Sequence, residues 1–236
     1  MTSVTNQYGQ PVGPDLPDWT PRSLPPSVTI HGQYCRLEPI DPAKHAADLY
    51  AAYAQAADGR DWTYMFAGPF GDFDSYLLYV QSMAGSQDPL HFAVIDLVTQ
   101  RAVGSLALMR IDPQHGMMEV GHVTFSPLLK QTATATEAHY LLMKLAFDRL
   151  GYRRYEWKCD SRNAPSRKAA LRLGFQFEGL FRQALIYKGR TRDTTWFSII
   201  DAEWPGVKQA LESWLDSSNF DGEGRQIRSL QSFRPE

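Results

Sequence analysis

Cysteine is almost missing from this chain: 236 residues contain only Cys35 and Cys159. Two thiols so far apart form no metal-ligand spacing and cannot hold a disulfide framework. Cys159 reads as a buried strand-end thiol, because no activating partner can be assigned to it as an acyl-carrying nucleophile. No apolar run approaches the about 18 residues that a membrane-spanning helix needs. The opening residues are rich in proline and lack the apolar stretch of a signal peptide, so a reducing cytoplasm is the expected compartment. A net charge of only −2 supplies no whole-molecule attraction to nucleic acid or to an anionic membrane. No internal repeat is visible, which excludes a solenoid.

What remains suits one packed domain, with 43% hydrophobic and 21% charged residues. Residues 1–27 lack periodicity and read as an irregular arm, pinned to the body by Trp19. Residues 28–216 carry no composition break and are expected to form a single domain. Residues 217–236 read as a polar tail.

Within the domain a first strand is expected at 34–39. Asp41-Pro42 then opens a helix over 43–57, and a second helix spans 72–83. Between them lies an aromatic loop, 62–70. Strands follow at 91–97, 102–111 and 117–125 as an antiparallel meander. The next helix, 134–150, begins with Thr134 and Glu137 spaced as a capping box, and Ala138, Leu141, Leu142, Leu145 and Ala146 mark its buried face. The preceding loop carries Lys130 and no acid, a composition that leaves backbone N–H groups free to meet an anion. A strand at 154–159, a short helix at 165–173 closed by Gly174, strands at 175–187 and 194–200 and a helix at 204–215 complete the domain. A meander with one parallel crossover predicts an α/β fold of the α+β type, a mixed and mostly antiparallel twisted sheet with helices on both faces.

Met118-Glu119-Val120-Gly121-His122, Ser126-Pro127 and Thr136-Glu137-Ala138 together resemble the GNAT acetyltransferase superfamily, and within it the branch of the ribosomal-protein N-terminal acetyltransferases. Asn163-Ala164-Pro165-Ser166 followed by Arg172-Leu173-Gly174-Phe175 and Glu178-Gly179 resembles the second stretch of that branch. The likeness covers residues 32–200. It implies acetyl-coenzyme A as cosubstrate, no metal, and transfer to a primary amine, on a small molecule or a protein N-terminus, within a ternary complex. It further implies that the backbone of Val123, Thr124 and Phe125 meets the pantetheine arm. Lys130, Gln131, Thr132, Ala133, Thr134 and Ala135 would then meet the pyrophosphate, and Asn163 would hold the cofactor arm. Lys130, Ala133 and Ala135 stand where the family usually has Arg or Gln, Gly, and Gly or Ala. Lys130 keeps the charge without the guanidinium fork, and Ala133 lacks the freedom of glycine.

Acetyl transfer from a thioester needs a neutral amine, a donor for the developing oxyanion and a proton for the departing thiolate. Glu119 is the first candidate to accept the amine proton, against the alternative of a solvated strand face. His122 is the second; three residues on, it faces the other side of an ideal strand unless a β-bulge re-aims it. Ser166 matches the family position that protonates the thiolate, and 165–173 contains no tyrosine for that task. A non-catalytic module of the same fold, holding coenzyme A or RNA, is the alternative to which the altered loop points.

Half of the 24 Lys and Arg residues fall within 149–192. They form either several faces with separate partners, a positive rim for the phosphates of coenzyme A, or an RNA-binding face, which the overall acidity disfavours. The aromatic loop and the last strand pair are expected to shape the acceptor pocket. Protein N-termini, aminoglycosides, polyamines and nucleotide-linked amines all remain open. The arm and tail can cover either this site or a second subunit of a homodimer.

Overall fold

The computed structural model describes residues 4–234. Its centre is an eight-stranded sheet, ordered β3-β4-β5-β6-β7-β8-β10-β9. The strands are β3 (Ile30–His31), β4 (Cys35–Pro39), β5 (Leu90–Asp96), β6 (Ala102–Asp112), β7 (Met117–Phe125), β8 (Arg154–Asp160), β9 (Gln176–Tyr187) and β10 (Arg190–Ile200). Neighbours are antiparallel except β7 and β8, which are parallel. Helices α1 (Pro42–Tyr53) and α2 (Phe73–Ala84) cover one face, while α3 (Ala133–Lys144), α4 (Ala164–Leu173) and α5 (Trp204–Leu215) build the core on the other. The expected mixed sheet between two helical layers is the observed one.

Strand β5 shows how both cores use one strand. Phe92 and Val94 enter the α3 side, and Ala93 and Ile95 enter the α1–α2 side. A strand buried on both faces reads as a continuous apolar run, as this one does. Asp41 and Asp72 cap α1 and α2 by accepting from the Ala43 and Ser75 N–H groups.

The start of α3 differs from the sequence expectation. Thr132, not Thr134, is the N-cap, and its hydroxyl accepts from the Ala135 N–H at 3.1 Å. Glu137 is therefore a full turn inside the helix and cannot close a capping box. It turns to the β3–β4 connection, where its carboxylate accepts from the N–H groups of Gln33 (2.6 Å), Tyr34 (2.7 Å) and Cys35 (2.8 Å). Gly32 is required beside it, because a Cβ there would stand 2.5 Å from the Glu137 Cδ. The helix continues past Lys144 through a π-helical turn, Leu145–Arg149, whose Leu145, Ala146 and Phe147 are all buried.

The arm contains a small hairpin, β1 (Val4–Thr5) with β2 (Pro11–Val12), where irregular chain was expected. Trp19 does pin it: the indole N–H donates to the Gln114 carbonyl at 3.0 Å, and the ring lies against Gly116 between Arg22 and Arg153. The tail, expected to be exposed, is anchored. Leu230 is fully buried, Phe220 packs edge-on against Tyr34 and Trp214, and Arg234 donates to the Leu171 and Arg172 carbonyls. One apolar residue per irregular turn has no period, so pattern reading does not register it. Among the described residues no helix is long and apolar enough to cross a membrane.

Candidate active site

Strands β7 and β8 pair in parallel from Met117 with Arg154 to Val120 with Trp157, and then part. Beyond that apex β7 stays on β6 as far as Phe125, and β8 stays on β10 as far as Asp160. The sheet thus opens as a V in its middle. A β-bulge in β7 accompanies the parting: Thr124 pairs with Ser105 and Gly121 with Ala107, so His122 and Val123 together stand opposite Leu106. His122 has φ +49°, the left-handed conformation that bulges often need, and a bulge bends its strand. The edge of β7 over Val123, Thr124 and Phe125 therefore faces the gap with no strand on it. The Thr124 carbonyl turns the other way, toward β6, where it accepts from the Tyr53 hydroxyl of α1 at 2.9 Å.

The chain leaves β7 into the 126–132 loop. The Ser126 carbonyl accepts from the Leu129 and Lys130 N–H groups, and Gln131 takes φ +63°. Among the described residues the N–H groups of Gln131, Ala133 and Thr134 have no acceptor, and they lie at the positive end of α3. Ala135 does not share this freedom, since its N–H is taken by the Thr132 cap. Lys130 is also engaged, reaching Asp61 at 2.5 Å in the turn Gly59–Trp62.

Glu119 lies just before the apex. Met118 and Val120 enter the α3-side core, so Glu119 points to the opposite face. It is not on a solvated surface: the residue is 4% exposed. The Lys158 Nζ is 2.8 Å from its carboxylate, and the Arg110 guanidinium is 3.5 Å away. Lys158 also reaches Glu156 at 2.6 Å, Arg154 bridges Glu156 and Glu178, and Ser198 donates to Glu178. Burial pushes the Glu119 carboxyl above its ordinary range; Lys158 and Arg110 pull the other way, and Glu156 adds to the rise.

The bulge brings His122 to the same face as Glu119. Its ring meets His91 edge-on at 5.0 Å, and His91, between the core residues Leu90 and Phe92, also points to the α1–α2 side. Burial lowers His122, and burial with the nearby His122 holds His91 down to about 4. Both rings are thereby kept neutral near pH 7.

Asn163 and Ser166 lie across the gap. Asn163 is the N-cap of α4, and its side-chain oxygen accepts from the Ser166 N–H at 3.1 Å. The Ser166 Oγ accepts from the Trp157 indole N–H at 3.0 Å. Trp157 is the β8 residue at the apex and belongs to the α3-side core. Glu119 and Ser166 therefore flank the opening from opposite faces of the sheet, and the bond from Trp157 uses the serine oxygen and not its hydrogen.

The basic segment divides among partners. Arg154 and Lys158 enter the carboxylate network, Arg172 bonds Thr136, and Lys188 donates to the Trp62 and Ala67 carbonyls. A continuous positive rim is thus not formed; Arg162, Arg167 and Lys168 remain exposed around the start of α4. The aromatic loop and the β9–β10 hairpin do come together, with Phe66 5.6 Å from Tyr187. A cavity of about 190 Å³ between α1, the aromatic loop and α2 is lined by Tyr50, Tyr53, Trp62, Phe70 and Tyr76. A larger cleft of about 340 Å³ lies between α1 and the β5–β6 turn and reaches Thr132 and Thr134.

Trp157, Lys158, Tyr53 and Asp61 were not singled out by the sequence reading. The alternation Arg154, Glu156, Lys158 along β8 was the visible signal for one of them: opposite charges at period two on one strand face.

Comparison with known proteins shows the same fold. The model of the acetyltransferase (GNAT) domain matches residues 35–176. The crystal structure of a GCN5-related N-acetyltransferase from Brucella melitensis has a TM-score of 0.91 and 46% identity, covering 93% of this chain and 99% of that one. A "probable" GNAT-family acetyltransferase from Chromobacterium violaceum has a TM-score of 0.77 and 42% identity, covering 83% and 98%. The uncharacterized N-acetyltransferase p20 of Bacillus licheniformis is 30% identical over 165 residues, 68% of this chain and 90% of its own length.

Proposed function

The chain belongs to the GNAT acetyltransferases, acetyl-coenzyme A-dependent acyltransferases, and we propose that it acetylates a primary amine by direct transfer within a ternary complex. The observation that carries this reading is the opening between β7 and β8, with Glu119 on one face of its apex and Ser166 on the other.

The residues present fit the cosubstrate. The unpartnered N–H groups of Gln131, Ala133 and Thr134 suit a pyrophosphate at the positive end of α3. The free edge of Val123 and Phe125 suits an extended amide-bearing arm, added as a strand would be. Capping uses only the Asn163 side-chain oxygen, and among the described residues its amide N–H₂ has no acceptor, so it can donate to the arm. Bound there, acetyl-coenzyme A supplies a thioester carbonyl open to nucleophilic attack.

In this reading Glu119 accepts the proton that the amine must lose. Burial raises its basicity, and the Lys158 ammonium beside it favours the charged form. His122, neutral and on the same face, is the second possible acceptor of that proton. Ser166, oriented by Trp157, donates to the leaving sulfur from the other face. The acceptor is a small-molecule amine or a protein N-terminus. The motif likeness to the ribosomal-protein N-terminal acetyltransferases supports the second, and the ring-lined cavity supports an acceptor with apolar or stacking groups.

A thermal-shift titration with acetyl-coenzyme A, coenzyme A and dephospho-coenzyme A tests the cosubstrate site. A saturable rise in Tm is expected with all three. Thiol release from acetyl-coenzyme A is then followed with short peptides and small amines. No Tm shift at millimolar ligand, or no amine-dependent thiol release across both classes, overturns the proposal.

A further inference from the structure

Glu119 and Glu156 are directly opposite each other in the parallel register of β7 and β8, and both are buried. Two facing carboxylates with little water to screen them would not both ionise near neutral pH. What separates them is one ammonium. The Lys158 Nζ, on a side chain only 5% exposed, is 2.8 Å from Glu119 and 2.6 Å from Glu156. It also sits 3.7 Å from the centre of the Trp196 ring on β10, which is stacked in turn on Phe181 of β9 at 4.5 Å. The π face and the two carboxylates leave the ammonium one place to be.

The surrounding charges alternate along the sheet. Arg110 of β6 stands beside Glu119; Lys158 and Arg154 of β8 follow on either side of Glu156; Glu178 of β9 closes the row against Arg154. Arg110 is more than half exposed and 3.5 Å away, so solvent weakens its hold. The histidines on this face, His91 of β5 and His122 of β7, are kept neutral by burial and add no charge near pH 7. Among the described residues no charged group of α1 or α2 comes within ion-pair distance of Glu119. Among the described residues Lys158 is the one buried cation beside Glu119.

We propose that Lys158 is the positioning residue of the reaction, holding the Glu119 carboxylate ionised and aimed so that it can take the amine proton at neutral pH. This rests on Glu119 being the base. Lys158 itself neither gives nor receives a proton: the proton passes from the amine nitrogen to a Glu119 oxygen as the nitrogen–carbon bond forms. Glu156 divides the ammonium charge with Glu119, so it acts as a counterweight. Removing the lysine and removing the counterweight should move Glu119 in opposite directions, which loss of packing alone would not do.

The test is a titration of glutamate side-chain carboxyls by ¹³C NMR on the full chain, with Glu119 assigned by the signal lost in Glu119→Gln. In Lys158→Met the Glu119 midpoint should rise by more than one pH unit, a tenfold change in its ionisation constant. In Glu156→Gln it should fall, and Lys158→Arg should leave it close to the parent value. Amine-dependent thiol release at pH 7 should drop at least tenfold in Lys158→Met and recover toward pH 9. An unchanged midpoint in Lys158→Met overturns the proposal. If that variant does not fold, a midpoint unmoved or raised in Glu156→Gln overturns it instead. Undiminished thiol release by Glu119→Gln overturns the base assignment itself, whatever the midpoints do.

Discussion

The indole N–H of Trp157 donates to the hydroxyl oxygen of Ser166 at 3.0 Å, and this one bond ties the apex of the β7–β8 opening to the first turn of α4. A hydroxyl that accepts there directs its own hydrogen elsewhere. If that hydrogen serves the leaving sulfur, Ser166→Ala should lower kcat by about a hundredfold while the Kd for acetyl-coenzyme A changes little. Trp157→Phe keeps most of the packing and removes only the orienting donor, so a smaller loss in kcat is expected. Single-turnover thiol release and calorimetric binding separate the two quantities.

Lys130 is held by Asp61 at 2.5 Å, with both side chains partly exposed. Freeing the ammonium should favour a phosphate ligand. Asp61→Asn is expected to tighten coenzyme A binding by about fivefold, the equivalent of about 1 kcal/mol for a surface pair. Lys130→Ala should weaken binding and flatten its dependence on salt. Calorimetry at two ionic strengths reads both effects.

Glu137 gives the fold a fixed point that Gly32 makes room for. Three N–H groups converging on one carboxylate should make Glu137→Ala cost about 3 kcal/mol of unfolding free energy. Gly32→Ala forces a Cβ onto the same carboxylate and should destabilise comparably. In the double variant the two costs should not add, because the clash vanishes with the glutamate. Urea denaturation of the four proteins measures the coupling.

Acid should unfold this protein early. His139 is buried between Phe125 and Trp157, and burial together with Arg172 lowers it to about 3; His91 is lowered to about 4. The unfolded chain binds protons at both positions near the ordinary value of about 6.5. Their contribution is therefore intact above that pH and is lost progressively as pH falls toward the folded values. The loss is on the order of a few kcal/mol. In His139→Phe the slope of Tm between pH 6.5 and 4 should be shallower than in the parent.

Much of the architecture was legible because it is periodic. The β7 strand was predicted with its observed ends, as was α5, and the parallel crossover followed from strand order. The start of α3 was not, because Thr132, Thr134 and Thr136 stand at even spacing and any of them could cap. The choice depended on where Glu137 found its donors, a contact between residues more than a hundred positions apart. The β-bulge was foreseen only as a condition for His122, since a bulge is settled by pairing with the neighbouring strand. Lys158 was obscured in a different way: its charge merged into a run of basic residues whose partners are scattered over strands, a helix and a loop.

The gap beyond Val120 and Trp157 is a strand edge enclosed within its own sheet. Exposed edges at the rim of a sheet invite another protein strand, and with it aggregation. Here β8 forms the opposite wall, and a polypeptide with side chains on both faces would need about 4.8 Å on each side and clearance above and below. A thin, unbranched amide chain needs far less. With acetyl-coenzyme A bound as proposed, the hydrogen-bonding groups that would make an outer edge adhesive are turned to a narrow, unbranched ligand instead.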